Sequence, residues 1–434
     1  MSNNEITQSC NPIIKASTRE VRQLMTKHSS KAFPQRILFI SHGPMLYGAQ
    51  RSLLALLAGI NREQYSPYLL VPREGPLTDE VKALNIPVFI SPLKHWVAFG
   101  QEAKKNWSAR AFNVINGLNK RVCIIADLIS EHDIHIVYTN TVTCIEGALA
   151  ARKTGRPHLW HLREHVAGNK DLKALLTPSI ISRTIGSLSA HVIVNSKALG
   201  KAYSCPALSA KTTVVYNGIS LGDFDREKGG GDALRKELGL NENTKIIASI
   251  ASLTPRKGYG TFIEAASKIK ASFTDVTFLA IGEGERDFVN TLKKKVALLD
   301  LNDNFYFLGW RSDVNKILEG VDLLIIPCEQ EAFGRTVVEA MAAGVPVVST
   351  RCGGPEEIIV DNETGFLVPL NDPDSIAKAA IRILNDTNIA TRFIEAGQAR
   401  ASALFNLDVY IKGIESVLEN LANSASNTIN TQPP

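Results

Sequence analysis

The 434 residues contain no apolar run approaching the roughly eighteen that a membrane-spanning helix requires. The first thirty residues alternate polar and charged side chains without the apolar centre of a secretory signal, which predicts a cytoplasmic protein. The six cysteines (Cys10, Cys123, Cys144, Cys205, Cys328, Cys352) are scattered, with no pair at knuckle spacing. This excludes a disulfide framework and a zinc site of the usual kind. Gly282-Glu283-Gly284 lacks the third glycine of a dinucleotide fingerprint, and no repeat of solenoid length is present. What remains is 44% hydrophobic and 21% charged, the balance of a globular chain long enough for two or three domains.

Charge is unevenly placed. From Arg36 to Tyr216 there are 21 Lys and Arg against 11 Asp and Glu; from Asn217 to Pro434 there are 22 against 30. A basic half beside an acidic half suggests that the first half meets something anionic, such as a phosphorylated lipid, an acidic glycan or a membrane surface; no nucleic-acid partner is expected. Basic residues between Lys94 and Arg121 interleave with Trp96, Phe99, Trp107 and Phe112, a pattern that fits peripheral contact with an anionic membrane and equally a solvated helix face.

Short β-rich runs alternate with helical patterns along the whole length, the mark of parallel βαβ construction. The strand-like runs of the first half are 36–41, 65–71, 134–138, 158–162 and 191–194; those of the second are 246–250, 277–281, 305–308, 323–326 and 346–349. Two such series predict two doubly wound α/β domains, at 36–216 and 246–405. The stretch 217–245, rich in Gly, Asp and Lys, reads as their connector. A helix over 406–422 is expected, with a disordered tail at 423–434 and a loose extension at 1–35.

The strand 323–326 ends at Pro327 and must turn tightly through Cys328 to Gly334 before an apolar helix. In an open α/β sheet such a loop lies where ligands bind. Gly334 permits close backbone approach, and the free amides around Arg335 and Thr336 at a helix start suit a diphosphate. Glu331 and Glu339 flank that position and can accept from sugar or ribose hydroxyls. Taken alone, each is more often an ordinary helix acid. Yet Glu339 sits in an almost wholly apolar helix, where a carboxylate needs a partner.

The stretch Glu331-Ala332-Phe333-Gly334-Arg335-Thr336-Val337-Val338-Glu339 resembles the E-x7-E signature of retaining glycosyltransferases of family 4, whose fold is GT-B: two Rossmann-like domains facing a central cleft. Asn217-Gly218, Lys257-Gly258, Gly282-Glu283-Gly284, Phe307-Leu308-Gly309, Gly353-Gly354-Pro355-Glu356 and Thr364-Gly365-Phe366-Leu367-Val368 resemble further family motifs in the same order. The resemblance implies an N-terminal domain that binds a glycan or lipid-linked acceptor and a C-terminal domain that binds a UDP- or GDP-sugar, with no cofactor beyond that co-substrate. By the same resemblance Glu331 binds the transferred sugar, the amides near Phe333 and Gly334 the sugar and phosphates, and Glu339 the ribose diol. Lys257 neutralises the diphosphate, a role that also follows from the charge a leaving diphosphate develops. Gly309, Trp310 and Arg311 would lie under the base, with Trp310 either stacking or packing. Gly48 in the turn after the first strand would approach the phosphate from the other domain. His42, His161 and Arg163, at strand ends facing the same cleft, are candidates for ordering the acceptor or the β-phosphate, His161 as a catalytic group or a buried structural one.

Departures are visible too. Ser252 stands where many members carry a phosphate-binding arginine, with Arg256 as a compensating candidate; Tyr47 replaces the first glycine of the usual pair, and Arg163 a usual histidine. No paired aspartates of the D-x-D kind follow a strand in the second half, so no metal is expected. Rival readings are a nucleotide-sugar epimerase of the same fold and a degenerate nucleotide-sugar-binding module.

Overall fold

The computed structural model of the chain describes residues 34–224 and 230–429. All but the end of the expected 1–35 extension, residues 225–229 of the connector and 430–434 of the tail fall outside them.

The first sheet is parallel and seven-stranded, ordered β3-β2-β1-β5-β6-β8-β9. Its strands are β1 (Gln35–Ser41), β2 (Tyr65–Val71), β3 (Val88–Ile90), β5 (Ile136–Asn140), β6 (His158–Leu162), β8 (His191–Val194) and β9 (Thr212–Val214). A small antiparallel pair, β4 (Val97–Phe99) and β7 (Leu172–Ala174), lies beside it. The second sheet is parallel with order β12-β11-β10-β13-β14-β15, from β10 (Lys245–Ile250), β11 (Val276–Ile281), β12 (Phe305–Gly309), β13 (Leu323–Ile326), β14 (Val347–Thr350) and β15 (Phe366–Val368). Helices cover both faces, so the central strands read as unbroken apolar runs: Ile37 to Ile40 and Leu323 to Ile325 are wholly buried. β3, β9 and β15 escape the periodicity because three residues at a sheet edge carry too little pattern.

Both sheets reverse strand order at their centres, between β1 and β5 and between β10 and β13. The loops leaving those strands at their carboxyl ends hold the residues of interest. Four helices place them: α1 (Gly48–Gly59), α2 (Trp107–Ile115), α3 (Arg335–Ala342) and α4 (Leu407–Ile429).

Two segments differ from expectation. Residues 230–238 form a helix whose Leu234 enters the second core and whose Arg235 donates to the carbonyls of Asn241 and Thr244 and pairs with Asp322. Much of the expected connector is therefore part of the second unit; its Gly-rich start masked a helix that tertiary contacts stabilise. Helix α4 packs on the first sheet and runs on to Ile429, so 423–429 of the expected disordered tail are helical. Tyr410, Ile411, Ile414, Val417, Leu418 and Leu421 pack with Ile37, Phe39 and Leu53. Burying six such side chains contributes on the order of 10 kcal/mol before chain entropy is subtracted.

Candidate active site at the switch point

Lys257 follows β10 and Glu331 follows β13, the two strands that flank the reversal in the second sheet, and the Lys257 ammonium donates to Glu331 Oε2. Gly258 explains how the loops come so close. Its φ is +70°, and a Cβ there would stand 1.9 Å from the Pro327 carbonyl oxygen. Only glycine lets the two backbones touch.

Glu331 Oε1 accepts from the Ala332 amide at 3.0 Å. Burial would raise this carboxyl, but the Lys257 and Arg256 charges and the hydrogen bonds outweigh it and hold the pKa at about 2. Burial would lower Lys257; the Glu331 carboxylate wins and raises it. The pair is sheltered and lies just before a helix start.

That helix is α3, capped by Gly334 at φ +97°. The 331–334 loop is seated on Gly353 and Gly354: Glu331 N donates to the Cys352 carbonyl at 2.8 Å and Gly354 N to the Glu331 carbonyl at 2.9 Å. A Cβ on Gly354 would meet the Phe333 backbone at 2.3 to 2.5 Å. The Phe333 ring is buried against Tyr216 and Phe405, which leaves its backbone to serve the loop. The partner that Glu339 needs is Arg335, one turn back, at 2.7 Å. Arg335 also reaches Ser52 of α1 at 3.5 Å, and Thr336 lies over the Ile250 carbonyl. Glu331, Lys257, Phe333, Gly334, Arg335, Thr336 and Glu339 thus share one corner of the second unit.

Other candidates fare differently. Arg256 does not stand free for a phosphate: it pairs with Asp171 of the first unit at 3.0 Å and donates to the Gln330 carbonyl at 2.6 Å. Gly309 (φ +68°), Trp310 and Arg311 lie at the end of edge strand β12; Trp310 is half exposed, while Arg311 is held by Asp313 and Glu237. In the first unit Gly48 opens α1 and is exposed. His42 bridges its own reversal, with Nδ1 3.0 Å from Thr141 Oγ1, and burial together with the His95 ring pushes its pKa down to about 3.

His161 and Arg163 are corrected from cleft groups to buried ones. His161 has no exposure, contacts the Tyr138 hydroxyl, and is driven far below an ordinary imidazole by burial and by Arg163. Arg163 donates to Asn140 at 2.6 Å, Asn217 at 2.6 Å and the Tyr410 hydroxyl at 2.9 Å. It ties β5, the connector and α4 together at one point, which also gives Asn217 its role.

Sequence reasoning missed the groups that join the two units. Glu357 accepts from the amides of Lys197 and Ala198 at 2.9 and 2.7 Å and from the Tyr216 hydroxyl at 3.0 Å. Lys170 pairs with Glu329, and Thr254 donates to Asp171. Their signal, a charge pattern across hundreds of residues, has no local trace.

The stretch 94–121 divides. Trp96, Arg110 and Arg121 are buried, Arg121 on Glu146, so they are structural. On α2 the outer face carries Trp107, Phe112 and Ile115, 61%, 70% and 69% exposed, beside Leu176 and Ile180 and the exposed Lys105, Lys120 and Lys173. No helix among the described residues is long and apolar enough to cross a membrane. Among them, no group of three or more His, Cys, Asp or Glu could hold a metal ion.

Two parallel doubly wound units that meet across the carboxyl ends of their central strands, with the site's charged pair beside a helix start, have the GT-B arrangement. The model of group 1 glycosyl transferases matches residues 231–400. Over 366 residues the chain is 27% identical to the UDP-Gal:alpha-D-GlcNAc-diphosphoundecaprenol alpha-1,3-galactosyltransferase of Escherichia coli, with 81% of this chain and 88% of that one covered. It is 30% identical over 194 residues to the N-acetyl-alpha-D-glucosaminyl L-malate synthase of Bacillus anthracis, covering 45% of this chain and half of that one. In fold it is similar to Anabaena HepE, solved in complex with UDP and glucose, with a TM-score of 0.74 at 24% identity, covering 89% of this chain and 100% of that one. The glycosyltransferase of Rickettsia africae gives 0.75 at 22%, covering 90% and 99%. The chain is an enzyme, a glycosyltransferase of GT-B fold whose residues 231–400 are similar to the group 1 glycosyl transferases.

Proposed function

We propose that the chain is a retaining glycosyltransferase of family 4, with Glu331 and Glu339 as its E-x7-E pair, moving a sugar from a UDP- or GDP-sugar to a lipid-linked glycan in cell-surface polysaccharide synthesis. The observation that carries this reading is the Lys257–Glu331 pair at the sheet reversal, beside the amides that open α3. The diphosphate takes the Lys257 ammonium and the Gly334 to Thr336 amides, releasing Glu331 to accept from the sugar's hydroxyls. Glu339, oriented by Arg335, accepts from the ribose diol. As the C1–phosphate bond breaks, the acceptor oxygen bonds to C1 on the same face and its proton passes to the leaving phosphate. The protein supplies position and a fixed positive charge, and neither a metal nor a protein nucleophile. The E. coli relative, whose own name specifies a UDP-sugar and a diphospholipid acceptor, supports this choice of substrates.

The outer face of α2 supports peripheral docking on an anionic membrane, with Trp107, Phe112 and Ile115 in the interface and Lys105, Lys120 and Lys173 at headgroup level. Co-sedimentation with vesicles containing phosphatidylglycerol should fall sharply in Trp107→Ser/Phe112→Ser. Equal sedimentation of both proteins would remove this docking face from the reading.

The donor site is tested by thermal stabilisation with a panel of UDP-, GDP- and ADP-sugars. The best donor should stabilise the wild type by about 2.7 kcal/mol at a hundred times its Kd. Glu331→Ala and Lys257→Ala should lose most of that ligand-induced gain. Equal gains in all three proteins would sink the assignment, and an inverted anomeric centre in the product would sink the retaining mechanism.

A further inference from the structure

Lys257 stands on a short turn, Pro255–Lys257, closed by its own amide donating to the Thr254 carbonyl at 3.0 Å, and the place of this turn is set from two sides. On one side lies the 329–331 loop of the same unit: Glu329 N donates to the Arg256 carbonyl at 2.8 Å, and Arg256 Nη1 donates to the Gln330 carbonyl at 2.6 Å. On the other lies the first unit, where one carboxylate oxygen, Asp171 Oδ2, accepts from Thr254 Oγ1 at 2.9 Å and from Arg256 Nε at 3.0 Å. Asp171 is itself held, since its amide donates to Asn169 Oδ1 at 3.0 Å and Asn169 Nδ2 donates to the His165 carbonyl at 3.0 Å. The Arg256 guanidinium therefore spans the two units, with Asp171 at one edge and the residue before Glu331 at the other.

This contact differs from the others that join the units. Lys170 and Glu329, the neighbours of Asp171 and Gln330, also pair across them at 2.7 Å, but the Lys170 side chain is 64% exposed, where such a pair adds little. Asp171 and Arg256 are half-buried, and burial works against the Arg256 charge until the Glu331 and Asp171 carboxylates outweigh it. A guanidinium is a planar fork, so seating its Nε edge on Asp171 aims its Nη1 at the Gln330 carbonyl. Without Asp171 the fork loses that aim, Thr254 loses its acceptor, and the turn and the loop lose the support that comes from the other unit. A shift of about 1 Å at a reacting group costs on the order of 100-fold in rate.

We propose that Asp171 is a positioning residue for the donor site of the opposite unit: through Thr254 and Arg256 it sets the Lys257 turn against the Glu331 loop, so that the pair takes its working geometry only when the units are closed. Resting on the transferase reading above, this role gives Asp171 no contact with donor or acceptor. With the units apart, the second one still holds Lys257, Glu331 and the amides that open α3, and so still binds the nucleoside diphosphate. With the units closed, Asp171 adds the alignment that transfer needs. Its loss therefore falls on turnover and spares donor binding.

Asp171→Ala should lower kcat for transfer of radiolabel from the best donor into the lipid extract of the host's own membranes about 10- to 100-fold. Donor KM and thermal stabilisation by the donor's nucleoside diphosphate, UDP or GDP, should stay within about twofold of wild type. Asp171→Glu, which keeps the carboxylate, should recover part of the loss, and Lys170→Ala, which breaks the neighbouring exposed bridge, should keep kcat within about threefold. In small-angle scattering with saturating nucleoside diphosphate, Asp171→Ala should keep the wild-type radius of gyration, because Glu357 and Lys170 still join the units. Loss of kcat together with a larger radius, or an equal loss in Lys170→Ala, would make Asp171 a mere tie between the units and overturns the positioning role. Unchanged kcat overturns it too, as does stronger stabilisation by the diphosphate in Asp171→Ala, which would mean that Asp171 keeps Arg256 away from that ligand. Independently of turnover, the Glu331 carboxyl signal of 13C-glutamate protein saturated with the same diphosphate, assigned by its loss in Glu331→Gln, should move in Asp171→Ala and stay in place in Lys170→Ala. No movement in Asp171→Ala also overturns the role. Movement without label transfer by the wild type leaves the role standing and refutes the transferase reading instead.

Discussion

Replacing Lys257 by alanine perturbs both stability and its pH dependence, and the size of each follows from Glu331. In the folded protein that carboxyl titrates at about 2 rather than its ordinary 4.5. A carboxylate depressed on folding adds stability that is full above about pH 4.5 and is lost as pH falls toward 2. At about 1.4 kcal/mol per pKa unit, the depression is worth about 3 kcal/mol at pH 7. Removing Lys257 leaves Glu331 with the Ala332 amide and the more distant Arg256 charge while burial still opposes ionisation, so most of that contribution goes. Lys257→Ala should therefore cost about 2–3 kcal/mol at pH 7, seen as a drop of roughly 5–10 °C in the Tm of the second unit. The deficit should shrink toward pH 3, where the variant's carboxyl is protonated and no longer an unpaired buried charge. Lys257→Ala/Glu331→Ala should be more stable than Lys257→Ala alone, because it removes the stranded anion. Melting curves of the four proteins of this cycle, read between pH 3 and 7, decide the matter. A deficit independent of pH, or additive single variants, would refute the electrostatic account of the pair.

Gly258→Ala places a Cβ against the Pro327 carbonyl at a positive φ, and should cost more than 3 kcal/mol by thermal melting and abolish turnover with it. Arg163→Leu leaves Asn140, Asn217 and the Tyr410 hydroxyl without their shared donor. It should lower stability by about 3 kcal/mol in denaturant melts and expose α4 to early proteolysis. Glu357→Ala uncaps the amides of Lys197 and Ala198 and frees Tyr216, all across the two units. A loss of about 1–2 kcal/mol is expected, with a larger radius of gyration in small-angle scattering as the units separate. Dialysis against EDTA should leave turnover unchanged; a loss restored by manganese would show that a metal takes part.

Much of this protein is legible locally. The central strands appear within two residues of where alternating apolar runs place them, because a parallel strand buried on both faces writes its whole length in Val, Ile and Leu. Gly258, Gly353 and Gly354 are marked in the sequence as glycines because each makes a backbone approach that a Cβ would block, and Gly334 because its φ is +97°. So the loop from Glu331 to Glu339 stands out from its residues, whereas Lys257 is marked through the family resemblance and the charge of a leaving diphosphate.

Orientation and partnership are a different matter. His161 and Arg163 sit at the right strand end, but which way a side chain leaves a strand depends on register with β5 and on the arrival of α4, more than two hundred residues later. Arg256 is next to Lys257 in sequence and is turned to Asp171 instead, through a contact made only when the two units close. The helix at 230–238 needs the second core, and Glu357 needs the amides of Lys197 and Ala198. Local pattern determined the strands of the two sheets, and packing brought Lys257 and Glu331 together at the reversal of the second. The three-dimensional packing alone decided which polar groups are spent holding the units together, because charge and hydrogen-bond satisfaction belong to contacts between distant segments and leave no periodicity behind.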